Sequence, residues 1–82
     1  MKTLWLITFR SVTFAQRAQH RLSKAGIDSN IQRTPAGLTD RGCSYCLRLR
    51  QWDIGQVIEL LQELPYSKVF YQSDGQWEQW QP

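Results

Sequence analysis

The residues best suited to chemistry in this chain lie in the segment Gly42-Cys43-Ser44-Tyr45-Cys46, which contains both cysteines. Arg41 precedes this segment, and Arg48 and Arg50 follow it. A thiol becomes a nucleophile when it is held as a thiolate, which requires a nearby positive charge, a helix N-terminus or a metal. The segment therefore predicts a reactive cysteine. The alternative is that both cysteines are small buried apolar residues, as free cysteines often are.

The spacing of the two cysteines argues against a shared redox or metal site. Positions three apart in an extended segment are separated by roughly 10 Å, beyond the limit of about 7 Å between the Cα atoms of a disulfide. A Cys43–Cys46 bridge therefore needs a local turn. A structural zinc site normally needs four ligands, and the obvious donors are Cys43, Cys46 and His20. We expect no metal and no other cofactor.

Length and composition restrict the class of protein. The 82 residues suffice for one small domain spanning 1–82, and 41% hydrophobic with 21% charged residues is ordinary for a globular chain. The formal charge of +3 with seven arginines among ten basic residues favours anions but falls short of a nucleic-acid signature. Two cysteines do not make the framework of a small secreted domain, and the apolar stretch at 4–7 is too short for a signal peptide or a membrane span. We expect a cytoplasmic protein that contacts no membrane.

Hydrophobic periodicity predicts six elements in the order β-α-β-β-α-β. The predicted elements are a central strand at 4–9, a helix at 12–25, an edge strand at 27–34, a strand at 45–50, a helix between the cap Asp53 and Pro65, and a strand at 68–72. Thr13 or Ser11 caps the first helix, and Gly26 ends it. A turn at 73–75 leads on to Trp77 and Trp80.

This order predicts a ferredoxin-like α+β fold, a four-stranded antiparallel sheet with both helices on one face. In that fold the first and third strands are antiparallel neighbours in the middle of the sheet. Cys43 is then expected at the same sheet end as Arg10 and the first turn of the first helix. Charge from Arg10 and Arg41, with the N–H groups around Ser11 and Thr13, would stabilise a thiolate there. Strand alternation places Cys46 on the polar side of the third strand.

Residues 11–49 resemble a known family. The run S-V-T-F-A-Q-R-A-Q-H-R-L-S-K-A-G-I, followed by R-T-P and G-C-S-Y-C-L-R-L, is similar to the small bacterial domains called DUF3343, described as selenium/sulfur carrier-like proteins. The cysteine that opens the family's third strand falls on Cys43. This chain departs from the family pattern in two places, because Ser44 replaces a glycine and Cys46 replaces a small residue.

The resemblance implies that Cys43, as a thiolate, carries sulfur or selenium as a persulfide or selenosulfide. Its implied partners are a sulfur- or selenium-donor enzyme and an acceptor protein, and the chain would be a carrier rather than a turnover enzyme. Cys46 would resolve the persulfide only if the strand frays. The residues expected to act together are Cys43 as the chalcogen carrier, with Arg10, Ser11, Thr13, Arg41, Gly42, Cys46 and Arg48 around it.

An RNA-recognition module is one alternative, because such domains share this topology and expose aromatic residues on the open face of the sheet. That mode would place Trp5 and Tyr45 on the open face. It would also turn Arg48 and Arg50 towards the helices and bury two guanidinium groups without evident partners. Nucleic acid is therefore not the expected partner.

A plain interaction or regulatory domain is the other alternative. Its open sheet face would be covered by a partner or by a second copy of the chain. Trp77 and Trp80 favour such a homodimer, because tryptophans are enriched at interfaces. The competing interpretation is that both side chains close the core of this domain.

Overall fold

The architecture was obtained from a computed structural model, which describes residues 4–35, 37–38, 45–50 and 54–80. The elements in these ranges are β1 (Leu4–Phe9), α1 (Val12–Lys24), β2 (Ser29–Arg33), β3 (Tyr45–Arg50), α2 (Ile54–Leu60), β4 (Tyr66–Ser73) and β5 (Gln76–Trp80). They form one antiparallel sheet with strand order β2-β3-β1-β4-β5. The α+β class with two helices is confirmed. The expected count of four strands is wrong, because residues 76–80 pair with β4 as a fifth strand.

β1 is central because its apolar residues are covered on both faces. It pairs with β3 on one side and with β4 on the other, which confirms that the first and third strands are antiparallel neighbours. Trp5, Ile7 and Phe9 belong to the same buried cluster as the helices, whereas Leu6 belongs to a separate cluster on the opposite face of the sheet. A continuous apolar run is the pattern that a strand buried on both faces requires.

α1 begins and ends where local sequence signals place it. Ser11, rather than Thr13, is the N-cap, and its hydroxyl accepts a hydrogen bond from the Phe14 N–H at 3.3 Å. Gly26 has a φ of 82°, which lets the chain turn away after the last helical residues. The helix buries Ala15 and Ala18, together with Leu22, against the sheet.

α2 is shorter than predicted, because the helix ends at Leu60 and non-helical turns continue to the residue before Pro65. Ile54 and Val57 are buried in the same cluster as the buried face of α1, so both helices pack on one face of the sheet. The predicted cap Asp53 lies outside the described residues. A single domain spanning 1–82 stays a prediction. In the part of the chain that is described, no helix has the length and apolar character needed to cross a membrane.

β5 is joined to β4 by a two-residue turn. Asp74 has a φ of 51° and Gly75 a φ of 80°, the pair of positive values that a type I′ turn needs. The strand then alternates, so that Trp80 lies opposite Val69 on the helix side and Trp77 lies opposite Gln72 on the other side. The turn at 73–75 was predicted, but the pairing of the segment after it was not.

Candidate functional site

The end of β1 and the start of β3 meet at one end of the sheet. Phe9, the last residue of β1, lies directly opposite Tyr45, the first residue of β3. The chain leaves β1 through Arg10, whose side chain is exposed, and enters α1 at once. Among the described residues Arg10 forms no ion pair. The third strand therefore starts beside Arg10 and the first helix, as predicted.

The N-terminus of α1 supplies the second positive feature at this end. The Ser11 carbonyl accepts from the Ala15 N–H at 3.2 Å, and the Ser11 hydroxyl satisfies Phe14. By helix geometry, the N–H groups of Val12 and Thr13 have no partner within the helix. The first turn also contains no acidic residue that would offset the positive end of the helix dipole. This end of the sheet is therefore suited to an anion.

Three of the predicted site residues, Arg41, Gly42 and Cys43, lie outside the described residues. Their roles stay predictions. The described part of the site consists of Arg10 and the capped start of α1, placed beside the first residue of β3.

Cys46 is fully buried on the sheet face that does not carry the helices. It forms a small cluster with Leu6 and Phe70, and Leu38 and Trp77 pack against this cluster. The sequence places Cys46 on the polar side of β3, and the structure shows that this side is covered where the cysteine lies. Cys46 could therefore react at the site only if the side chains that cover it, Leu38 and Trp77, moved away.

Burial also sets the protonation state of Cys46. Desolvation raises the pKa of its thiol, and the nearby Thr34 and Gln32 side chains offset this rise in part. Gln32 lies directly opposite Cys46 in the pairing of β2 with β3. The Thr34 hydroxyl is buried and makes no hydrogen bond of good geometry within the described chain, so its effect on the thiol is a weak polar contact. Cys46 is a protonated, shielded thiol at neutral pH.

Arg48 lies away from the Arg10 end of the sheet. It is exposed, and its backbone is opposite Leu6 on β1 and Asn30 on β2. It is three positions from Tyr45 along the strand, which is roughly 10 Å. The structure therefore brings Arg10, Ser11 and the start of β3 together, but it does not bring Arg48 to them.

A groove at the other end of β3 was not predicted. It encloses about 570 Å³ and is lined by Gly26, Ile27, Asp28, Asn30, Arg48, Leu49 and Arg50. The available signal was the alternation of β3, which places Arg48 and Arg50 on the same side. The α1–β2 turn lines the groove only because β2 pairs with β3 in this register. The sequence alone does not specify that pairing.

The strand register argues against the RNA-recognition mode. Trp5 is 7% exposed and belongs to the helix-side cluster, and Tyr45 lies opposite Phe9 in the same alternation. Arg48 and Arg50 are exposed instead of facing the helices. The aromatic stacking surface that this mode requires on the open face is therefore not formed by Trp5 and Tyr45.

The two tryptophans of β5 pack within the chain. The Trp80 ring meets Trp5 edge-on at 6.1 Å between centroids, and Trp5 lies 5.4 Å from Tyr71. Trp77 packs against the buried cluster on the opposite face. Both therefore close the core of this domain, and a homodimer through them stays a prediction.

His20 and Cys46 do not meet. His20 is exposed on α1, which packs on the helix side of the sheet, whereas Cys46 is buried on the opposite face. These two donors cannot ligate one metal ion in this fold. No cluster of three or more metal-ligating side chains occurs among the residues that the structure describes.

The fold and the site define a class: a small α+β domain with a positively charged sheet end at a helix N-terminus. The family model described as "Putative Se/S carrier protein-like" matches residues 4–71, and the chain belongs to that family. The match confirms the resemblance found in the sequence and supports a general carrier role. It ends within β4, so β5 lies outside it. Comparisons with curated proteins and with solved structures gave no match.

Proposed function

We propose that this protein carries sulfur or selenium on Cys43, as a persulfide or selenosulfide, between a donor enzyme and an acceptor protein. The observation that carries the proposal is the burial of Cys46. The chain has two cysteines, and Cys46 is fully buried with a raised pKa. A carrier must present a thiolate to two successive partners, so in this family member the role falls to Cys43.

Cys43 precedes Tyr45 by two positions in the sequence. In the sheet Tyr45 lies opposite Phe9 on β1 and Arg33 on β2. From Phe9 the chain continues through the exposed Arg10 into α1. A guanidinium and a helix N-terminus both favour an anion over its protonated form. These features support a thiolate, and later a persulfide anion, at Cys43.

The transfer needs no external oxidant. The Cys43 thiolate attacks the terminal sulfur of a donor persulfide, a new S–S bond forms on Cys43, and the donor S–S bond breaks. The donor cysteine leaves as a thiolate and takes the electron pair of the broken bond. Release to the acceptor is the same exchange, with an acceptor thiolate as the attacking group and Cys43 as the leaving thiolate.

We extend the proposal to the cellular compartment of the protein and to the type of its fold. A free thiolate persists in a reducing compartment, so we place the carrier in the cytoplasm. The first six elements follow the order β-α-β-β-α-β with β1 and β3 adjacent. This supports a ferredoxin-like unit, to which β5 adds an edge strand.

The test is a transfer assay. The protein is incubated with a cysteine-dependent sulfur-donating enzyme and cysteine, and its intact mass is then measured before and after a thiol reductant. We expect a mass gain of one sulfur atom that the reductant removes. The Cys43→Ala variant should show no gain, whereas Cys46→Ala should retain it.

Two results would contradict the proposal: no reducible gain on the wild-type chain, or the same gain on Cys43→Ala. Circular dichroism of both variants would show that each is folded. An Arg10→Gln variant tests the electrostatic step, because its Cys43 should react with a thiol reagent at a higher pH midpoint than in the wild-type chain. Arg17→Gln, which removes an exposed charge from the middle of α1, is the matched control.

A further inference from the structure

We propose that the groove between the α1–β2 turn and β3 binds a small anionic ligand through a phosphate or carboxylate group. The groove encloses about 570 Å³, within the range of about 300–1,000 Å³ that is usual for small-molecule sites. Its named lining residues are mostly polar or charged, which indicates a polar ligand.

Two guanidinium groups make the groove cationic. Arg48 and Arg50 occupy alternate positions of β3, so both project from the face opposite the helices and their Cα atoms are roughly 7 Å apart. Both side chains are exposed, and within the described residues neither forms an ion pair or a hydrogen bond. A guanidinium offers two parallel N–H donors that match the oxygens of a carboxylate or a phosphate.

The α1–β2 turn completes the groove. Asn30 lies directly opposite Arg48 on β2, so its amide is available as a neutral donor or acceptor beside the first guanidinium. Gly26 lines the groove with a φ of 82°, and a Cβ there would meet no atom within 4 Å, so this side of the groove is open. Side-chain donors from both strands, the guanidinium groups of Arg48 and Arg50 and the amide of Asn30, therefore line the same space.

Asp28 is the one acidic side chain among the groove's lining residues. It precedes β2 by one position and lies on the rim with an exposed carboxylate. Two arginines against one carboxylate leave the groove net positive. Asp28 therefore weakens the binding of an anion without preventing it. Replacing its carboxylate should strengthen binding, whereas replacing either arginine should weaken it.

The groove is separate from the proposed carrier site. Arg50 lies opposite Leu4 at the start of β1, whereas Tyr45 lies opposite Phe9 at its end. These two ends of β3 are five positions apart, which is roughly 17 Å. Ligand binding in the groove can therefore be measured independently of any reaction at Cys43.

The experiment is calorimetric titration of the full chain with inorganic pyrophosphate and, in a parallel arm, with succinate. We expect at least one of them to bind, and each of Arg48→Gln and Arg50→Gln to weaken that binding about tenfold or more, because charge-assisted hydrogen bonds are lost. Asp28→Asn should strengthen binding several-fold. Tighter binding of pyrophosphate would identify a phosphate ligand, and tighter binding of succinate a carboxylate ligand.

Arg17→Gln is the matched control, since it removes an equal charge from an exposed position on α1. The proposal is overturned if neither probe binds, if the β3 variants bind as the wild type does, or if Arg17→Gln weakens binding equally. Thermal unfolding of each variant shows that the fold is kept. The titration is repeated at higher salt. Salt screens general electrostatic attraction, so binding that persists at higher salt indicates a formed site.

Discussion

The Thr8 side chain bonds to both backbone groups of Lys68. Its hydroxyl donates to the Lys68 carbonyl at 3.3 Å and accepts from the Lys68 N–H at 2.9 Å. The pairing of β1 with β4 shifts between Ile7 and Phe9, so that regular pairing of the two strands is interrupted at Thr8. The Thr8 hydroxyl thus holds Lys68 of β4 where the register between the two strands shifts.

We predict that Thr8→Val destabilises the protein by about 1–3 kcal/mol. Valine keeps the shape of the side chain, but it removes the hydrogen bonds from Thr8 to the N–H and the carbonyl of Lys68, at a partly buried place. Thr8 itself is 1% exposed. Urea unfolding at equilibrium measures the effect. Thr13→Val, at an exposed helical position, should change the free energy of unfolding by no more than about 0.5 kcal/mol; equal losses in both variants would contradict the role of the bulge.

The buried Cys46 thiol predicts a loss of stability at alkaline pH. Burial raises its pKa in the folded state, whereas in the unfolded chain it titrates near the ordinary value of about 8.5. Above that pH the unfolded state loses the proton first, so the free energy of unfolding falls as pH rises. The full contribution is present below the unfolded pKa.

The measurement compares Cys43→Ala with the double variant Cys43→Ala/Cys46→Ala by urea unfolding between about pH 7 and pH 9.5. The single variant should lose more stability over this range than the double variant, since Cys46 is then the one thiol that differs between them. Identical slopes would show that Cys46 is not buried as a neutral thiol.

We predict that a side chain at Gly75, in the turn between β4 and β5, strains the backbone and destabilises the protein. Gly75→Ala places a side chain at a φ of 80°, where a Cβ costs about 1–2 kcal/mol, although there is open space around it. Asp74→Asn is the control, because asparagine accepts the positive φ at that position. Thermal unfolding should show a lower midpoint for Gly75→Ala alone. An unchanged midpoint would mean that the hairpin contributes little to the fold.

Much of the architecture was predictable because its signals are local. The apolar run of β1, the helical spacing after Ser11 and the alternation of β3 each lie within a few residues. They were sufficient for the α+β class and, through the order of the elements, for the antiparallel pairing of β1 with β3. β5 was missed because Gln76–Trp80 carries polar residues and has strand character mainly through its pairing with β4.

The sequence by itself determined the family, the identity of the two candidate thiols and the side of β3 on which Cys46 lies. The tertiary structure decided that Cys46 is buried, because Leu38 and Trp77, distant in sequence, cover it. It also decided that Arg48 stands beside Asn30 rather than near Arg10. Periodicity gives the direction of a side chain, whereas its solvent exposure and pKa depend on which remote segments pack over it.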